Sequence, residues 1–196
     1  MKRTSLSIIG ACLMVFSASS SAALFDFVAA AVPEVGGDPL IIDSDTAGIS
    51  ISASGSYDGI AADAVAYLDT GGGLGVCHSG ITPGAHSPCD VPSDDNVTVG
   101  EVLTLELIGA SAIMDLVFAA ANHGPVNSSG AIDYRIDMAD WVTDQTFGSL
   151  SMLTLWGTIF DFRVGNEDDA NEFYLTSLTA VPVPAAALLF GSGLLG

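Results

Sequence analysis

Hydrophobic and polar residues alternate with period two in several short runs of this chain, and Gly, Pro, Asp and Asn separate the runs. In residues 131–138, Ile132, Tyr134, Ile136 and Met138 alternate with Asp133, Arg135 and Asp137. A strand places these two sets on opposite faces, whereas a helix would scatter the apolar one. The same alternation turns Ile49, Ile51 and Ala53 inward in residues 48–53, and Leu103, Leu105 and Leu107 inward in residues 101–108. In residues 158–164 it turns Phe160, Phe162 and Val164 inward. Residues 173–179 read as a last strand. Residues 112–122 are ambiguous, because their alanines favour a helix while Val117, Phe118 and the flanking strands favour a strand, which is the reading taken. Short strands between polar turns predict an all-β fold, an antiparallel two-sheet sandwich of jelly-roll type. No internal repeat of solenoid length is visible.

Composition narrows the class. At 196 residues the chain has room for one domain and terminal segments. It is 49% hydrophobic and 14% charged, too apolar for a disordered acidic tail. Its formal charge is −19, and of four basic residues two, Lys2 and Arg3, stand at the start. The body keeps Arg135 and Arg163 against 23 acids. That balance repels phosphate backbones and anionic headgroups, so nucleic acid is no expected partner, while cations are.

Lys2 and Arg3 precede an apolar run, residues 6–16, and then small residues, 17–23. This is the layout of a secretory signal peptide over residues 1–22, a signal helix with cleavage between Ala22 and Ala23. The run is shorter than the roughly 20 residues that span a bilayer, which argues against a retained anchor. Ile9-Gly10-Ala11-Cys12 also has the form of a lipobox, but it would leave very little apolar stretch, so Cys12 is read as part of that stretch.

At the other end, Val181-Pro182-Val183-Pro184 with the apolar residues after it resembles the VPLPA variant of the PEP-CTERM sorting signal. The resemblance implies an exosortase-type transpeptidase as partner and transient inner-membrane anchoring at the C-terminus. It also implies delivery to the cell envelope, the outer surface or an exopolysaccharide matrix. Val183 stands where the variant has Leu. The stretch after Pro184 runs 12 residues without a Lys or Arg. As a helix it would rise about 18 Å against a hydrocarbon core of about 30 Å. Residues 182–196 are therefore read as a partial sorting segment and residues 23–181 as the sandwich domain. Residues 73–77, 93–105 and 122–124 also look like a segment found in some PEP-CTERM exported proteins, which implies an extracellular β-domain and no particular reaction.

Candidate chemistry is sparse. Cys77 and Cys89 share a loop rich in Gly, Pro and Ser, and in an oxidising compartment such a pair forms a disulfide. The rival reading is a zinc site using Cys77, His78, His86 and Cys89. Asp94, Asp95, Asn96 and Glu101 gather hard oxygen donors at a turn, which suits calcium, although no EF-hand spacing is present. Residues 166–171 form a second acidic cluster, read as a solvated hairpin loop, and Asp43 with Asp45 a weaker third. His123 would need a carboxylate partner such as Asp115 or Asp133 to act as a base, and a turn histidine is the plainer reading. Trp141, Trp156, Tyr57, Tyr67, Tyr134 and Tyr174 would stack on sugars where exposed and otherwise fill the core. There is no nucleophile elbow, phosphate-binding glycine loop or metalloprotease helix. The expectation is a non-enzymatic surface or matrix β-domain. The alternatives are a calcium-assisted carbohydrate-binding module and a secreted hydrolase with a carboxylate site.

Overall fold

The structure, a computed structural model, describes residues 21–46, 48–61, 64–78 and 95–182. These belong to one compact unit, Ser21–Val183. The strands are β1 (Ala23–Asp26), β2 (Val35–Gly37), β3 (Leu40–Asp43), β4 (Ser50–Tyr57), β5 (Ala64–Asp69), β6 (Gly73–His78) and β7 (Glu101–Ile108). They continue as β8 (Ala110–Ala120), β9 (Ala131–Ile136), β10 (Val142–Thr146), β11 (Leu155–Trp156), β12 (Ile159–Val164) and β13 (Phe173–Pro182). Two one-turn α-helices, α1 (Phe27–Ala30) and α2 (Phe147–Leu150), are each capped by the preceding residue, Asp26 and Thr146 accepting from Ala29 N and Ser149 N, and two short 3-10 turns (Gly165–Glu167 and Asp169–Asn171) join β12 to β13.

The fold is an antiparallel two-sheet sandwich. Sheet A runs β11-β8-β13-β6-β5-β2, with β1 also on β13, and sheet B runs β10-β9-β12-β7-β4-β3. Consecutive strands pair as hairpins only in β3–β4, β5–β6 and β9–β10 among the described residues. Most other connections pass from one sheet to the other. The alternating runs explain sheet B: Ile51, Ala53, Leu103, Leu105, Phe160, Phe162 and Ile132 are all buried in the common core. Residues 112–120 fall in the long strand β8, which spans almost all of its neighbour β13, and residues 121–122 lie in the turn after it. At Gly55 the sheets come so close that a Cβ would stand 2.8 Å from the Val65 carbonyl and from Val76 Cγ1.

Two expectations shift. Met138 is not an inward strand residue but 74% exposed, since β9 stops at Ile136. Asp137 Oδ1 accepts from Thr158 N and Ile159 N, both at 2.9 Å, and Asp137 and Met138 take positive φ there. The acidic run 166–171 is no hairpin, because β12 lies in sheet B and β13 in sheet A. Its Asn171 is buried as a joint, with Oδ1 accepting from Ala131 N at 3.1 Å and Nδ2 donating to Gly165 O at 3.4 Å.

The ladders also fix direction. Ala23 lies opposite Ala180, and Pro182 opposite Ala110, so the body's first and last strand residues share the end where β7 passes into β8. Phe173 pairs with Val97 at the other end, where β7 begins and β12 finishes.

Candidate functional site

Asp133-Tyr134-Arg135 in β9 and Asp161-Phe162-Arg163 in β12 carry the same pattern, and the strands are antiparallel. The register sets Asp161 opposite Arg135 and Arg163 opposite Asp133. With Phe162 and Tyr134 turned toward the core, all four charged side chains emerge on the outer face of sheet B. Arg163 donates Nε and Nη2 to Asp133 Oδ2 at 3.0 and 2.9 Å. Arg135 donates Nε to Asp161 Oδ2.

Both carboxylates are nearly enclosed, at 4% exposure for Asp133 and 3% for Asp161. Each has its second oxygen bonded as well. Thr104 Oγ1 on β7 donates to Asp161 Oδ1 at 2.6 Å. Asp144 N donates to Asp133 Oδ1 at 3.0 Å, from a bulge in β10 where Asp144 takes a φ of 58°. Burial of these charges is thus matched by partners on every side. Trp141, just before β10, lies against both guanidiniums, with the Cζ atoms of Arg163 and Arg135 at 4.2 and 4.7 Å from its ring centroid. The only two cations of the chain beyond Arg3 therefore meet at one indole.

This cluster walls a trough of about 910 Å³ that continues past Ser56, Asp58 and Gly100. One of its lining residues, Glu101, links the two sheets. Glu101, fully buried, faces inward from β7 and accepts from Thr98 N at 2.8 Å, with His78 Nδ1 of β6 at 3.2 Å. Tyr57 stacks on His78 with ring centroids 4.0 Å apart and planes 4° from parallel.

A second polar network lies on sheet A. His123 Nε2 sits 3.0 Å from Asp69 Oδ2, which also accepts from Gly72 N at 2.9 Å. Tyr174 Oη donates to Asp95 Oδ1. Burial first, and then the neighbouring Asp95 carboxyl, hold Asp69 above its ordinary value, against the Gly72 N–H and His123, which lower it. Burial and the same carboxyls push the Tyr174 phenol upward. The trough does not reach this pair.

The residues expected to bind or bridge are placed as follows. Cys77 is buried in β6 opposite Val65, and Cys89 lies outside the described residues. Asp94, Val183 and Pro184 also lie outside them. Asp95, Asn96 and Glu101 do not converge: Asp95 meets Tyr174, Asn96 Nδ2 meets Glu172 Oε2 at 3.3 Å, and Glu101 meets Thr98 and His78. Asn96 Oδ1 is buried with no hydrogen-bond donor among the described residues. Among the described residues no three His, Cys, Asp or Glu side chains are grouped to hold a metal ion. Nor is any helix there long and apolar enough to cross a membrane. His123 pairs with Asp69 rather than Asp115 or Asp133. Val181 and Pro182 are the last residues of β13, and Ala22 is exposed immediately before the buried Ala23.

Of the six aromatic candidates, Trp141 lines the trough and Trp156 is 63% exposed on β11, whereas Tyr67 and Tyr174 are buried. The Asp-Arg ladder was not singled out from sequence. Its signal was the repeated Asp-x-Arg in two predicted strands, in a chain with so few cations. Compared with known proteins, the chain matches no family model, no curated protein and no solved structure.

Proposed function

We infer that this chain is an exported β-sandwich protein of the cell envelope or extracellular matrix that acts by binding and not by catalysis. What supports the reading is the extent of the folded body. Its described strands run from Ala23 to Pro182, and Ala23 is buried opposite Ala180. Removal of residues 1–22, and of the segment after Pro184, would leave both sheets whole. An exosortase-type transpeptidase acting on the motif would find Val181 and Pro182 paired to Ala112 and Ala110. The C-terminal segment then serves as a transient membrane anchor. Extracellular polysaccharide is the expected partner in the matrix.

The test is the intact mass of the native protein in membrane, outer-surface and medium fractions, with terminal peptides mapped. An N-terminus at Ala23 and loss of residues beyond Pro184 are expected. A product ending at Gly196 and free in the medium would remove the sorting and anchoring part of the reading.

A further inference from the structure

The trough on sheet B holds hydrogen-bonding capacity that the protein does not use. Arg135 commits only Nε to Asp161, and Arg163 commits Nε and Nη2 to Asp133. Among the described residues the remaining guanidinium N–H groups meet no acceptor, and the two side chains are 32% and 39% exposed. Trp141 on one side and buried carboxylates on the other fix their direction before any ligand arrives. Asp58 and Asp144, both exposed, add free carboxylates to the same walls.

Charge decides between ligand classes. Four carboxylates, of Asp58, Glu101, Asp133 and Asp144, line the trough against two guanidiniums, so an anion is repelled. A hydroxyl both donates and accepts, so neighbouring hydroxyls on one ring match a guanidinium fork and a carboxylate together. An indole edge or face gives the apolar side of such a ring somewhere to rest. The volume lies in the upper part of the range of about 300–1,000 Å³ common to small-molecule sites, enough for a short oligosaccharide.

We propose that the Trp141 trough binds a neutral oligosaccharide, whose paired hydroxyls accept from Arg135 and Arg163 and donate to Asp58 and Asp144. The site stands on its own geometry and does not require the export reading to hold.

The chain has two tryptophans, and Trp156 is exposed on a two-residue edge strand. Trp156→Phe therefore leaves Trp141 as the sole indole reporter. This protein is titrated with neutral hexasaccharides of gluco, manno and galacto configuration, with hexagalacturonate and spermine as charged probes. A saturable change in Trp141 emission with at least one neutral sugar is expected, and none with hexagalacturonate. Arg163→Lys keeps the charge but loses the planar fork and should weaken binding about tenfold. Thr143→Leu adds bulk at the exposed rim from a side chain that bonds to neither ion pair, keeps Trp141 the sole indole, and should do the same, so a folding defect in the first variant leaves the second to decide. Flat titrations with all three neutral sugars at millimolar concentration would overturn the proposal. So would affinity unchanged by Thr143→Leu, or binding of a charged probe alone.

Discussion

Arg163 grips Asp133 through two nitrogens directly across the β9–β12 ladder, and the strand register repeats the pairing in reverse order at Arg135 and Asp161. Removing one partner leaves a buried charge on the other strand. Because Arg163 is more than a third exposed, the cost is set below that of a fully buried pair. Arg163→Gln should lose about 1–3 kcal/mol in urea unfolding. In a cycle with Asp133→Asn the coupling should be positive, about 1 kcal/mol. Additive single and double variants would show that the pair does not hold the strands together.

Asp69 gives a pH dependence whose sign follows from its neighbours. Its value in the fold is above the ordinary 3.8, so between 3.8 and that raised value the folded chain keeps a proton that the unfolded chain has released. Its contribution to stability therefore falls as pH rises through that window and stays low at neutrality. Asp69→Asn should gain stability relative to the parent as pH is raised from 3.8 toward 7, as read by unfolding at a series of pH values. Parallel curves would reject the assignment.

Asp137 should act in the opposite sense. The backbone N–H groups of Thr158 and Ile159 hold its carboxyl below the ordinary value. What it contributes is present at neutral pH and disappears as pH falls through its lowered value. The deficit of Asp137→Ala relative to the parent should be largest at neutral pH and shrink on acidification.

Gly55 is required for close approach and not for its φ. A methyl there meets the Val65 backbone at 2.8 Å, where no flexible side chain can yield. Gly55→Ala should cost about 1–3 kcal/mol with the urea m-value unchanged. A neutral result would mean that the sheets separate more easily than their packing indicates.

Cys77 and Cys89 should lower the mass of the native protein by two hydrogens relative to the reduced form. Cys77→Ser should then lose on the order of 3 kcal/mol, the chain-entropy value for a loop of this size. Two thiols free to alkylate in the native protein would contradict the bridge.

The sequence pattern was most legible where one face of a strand meets the core and the other meets water. That holds for the apolar inward residues of β4, β7 and β12 (Ile51, Ala53, Leu103, Leu105, Leu107, Phe160, Phe162 and Val164), whereas Gly55 and Glu101, which also face inward, were not anticipated. It was least legible in β5 and β6, which are buried almost throughout and show no clean alternation. Gly75 in β6 admits the Asp95 carbonyl directly over it, a contact between segments that no local pattern announces. The acidic turn misled for a related reason. Asp95 and Asn96 are adjacent in sequence, yet their side chains go to Tyr174 and Glu172 respectively. The trough was hidden because its two Asp-x-Arg runs become complementary only once the antiparallel register is known.

The strand that closes the body is also the one on which sheet A depends. β13 separates β8 from β6 and carries β1, so without it the sheet falls into three disconnected pieces. A chain emerging N-terminus first has the hairpins of β3–β4 and β5–β6 within reach early, but the pieces of sheet A have no strand to join them until β13 has appeared. Closure of sheet A thus waits on the last of the described strands, and a chain that ends before Phe173 leaves the edges of β8 and β6 open.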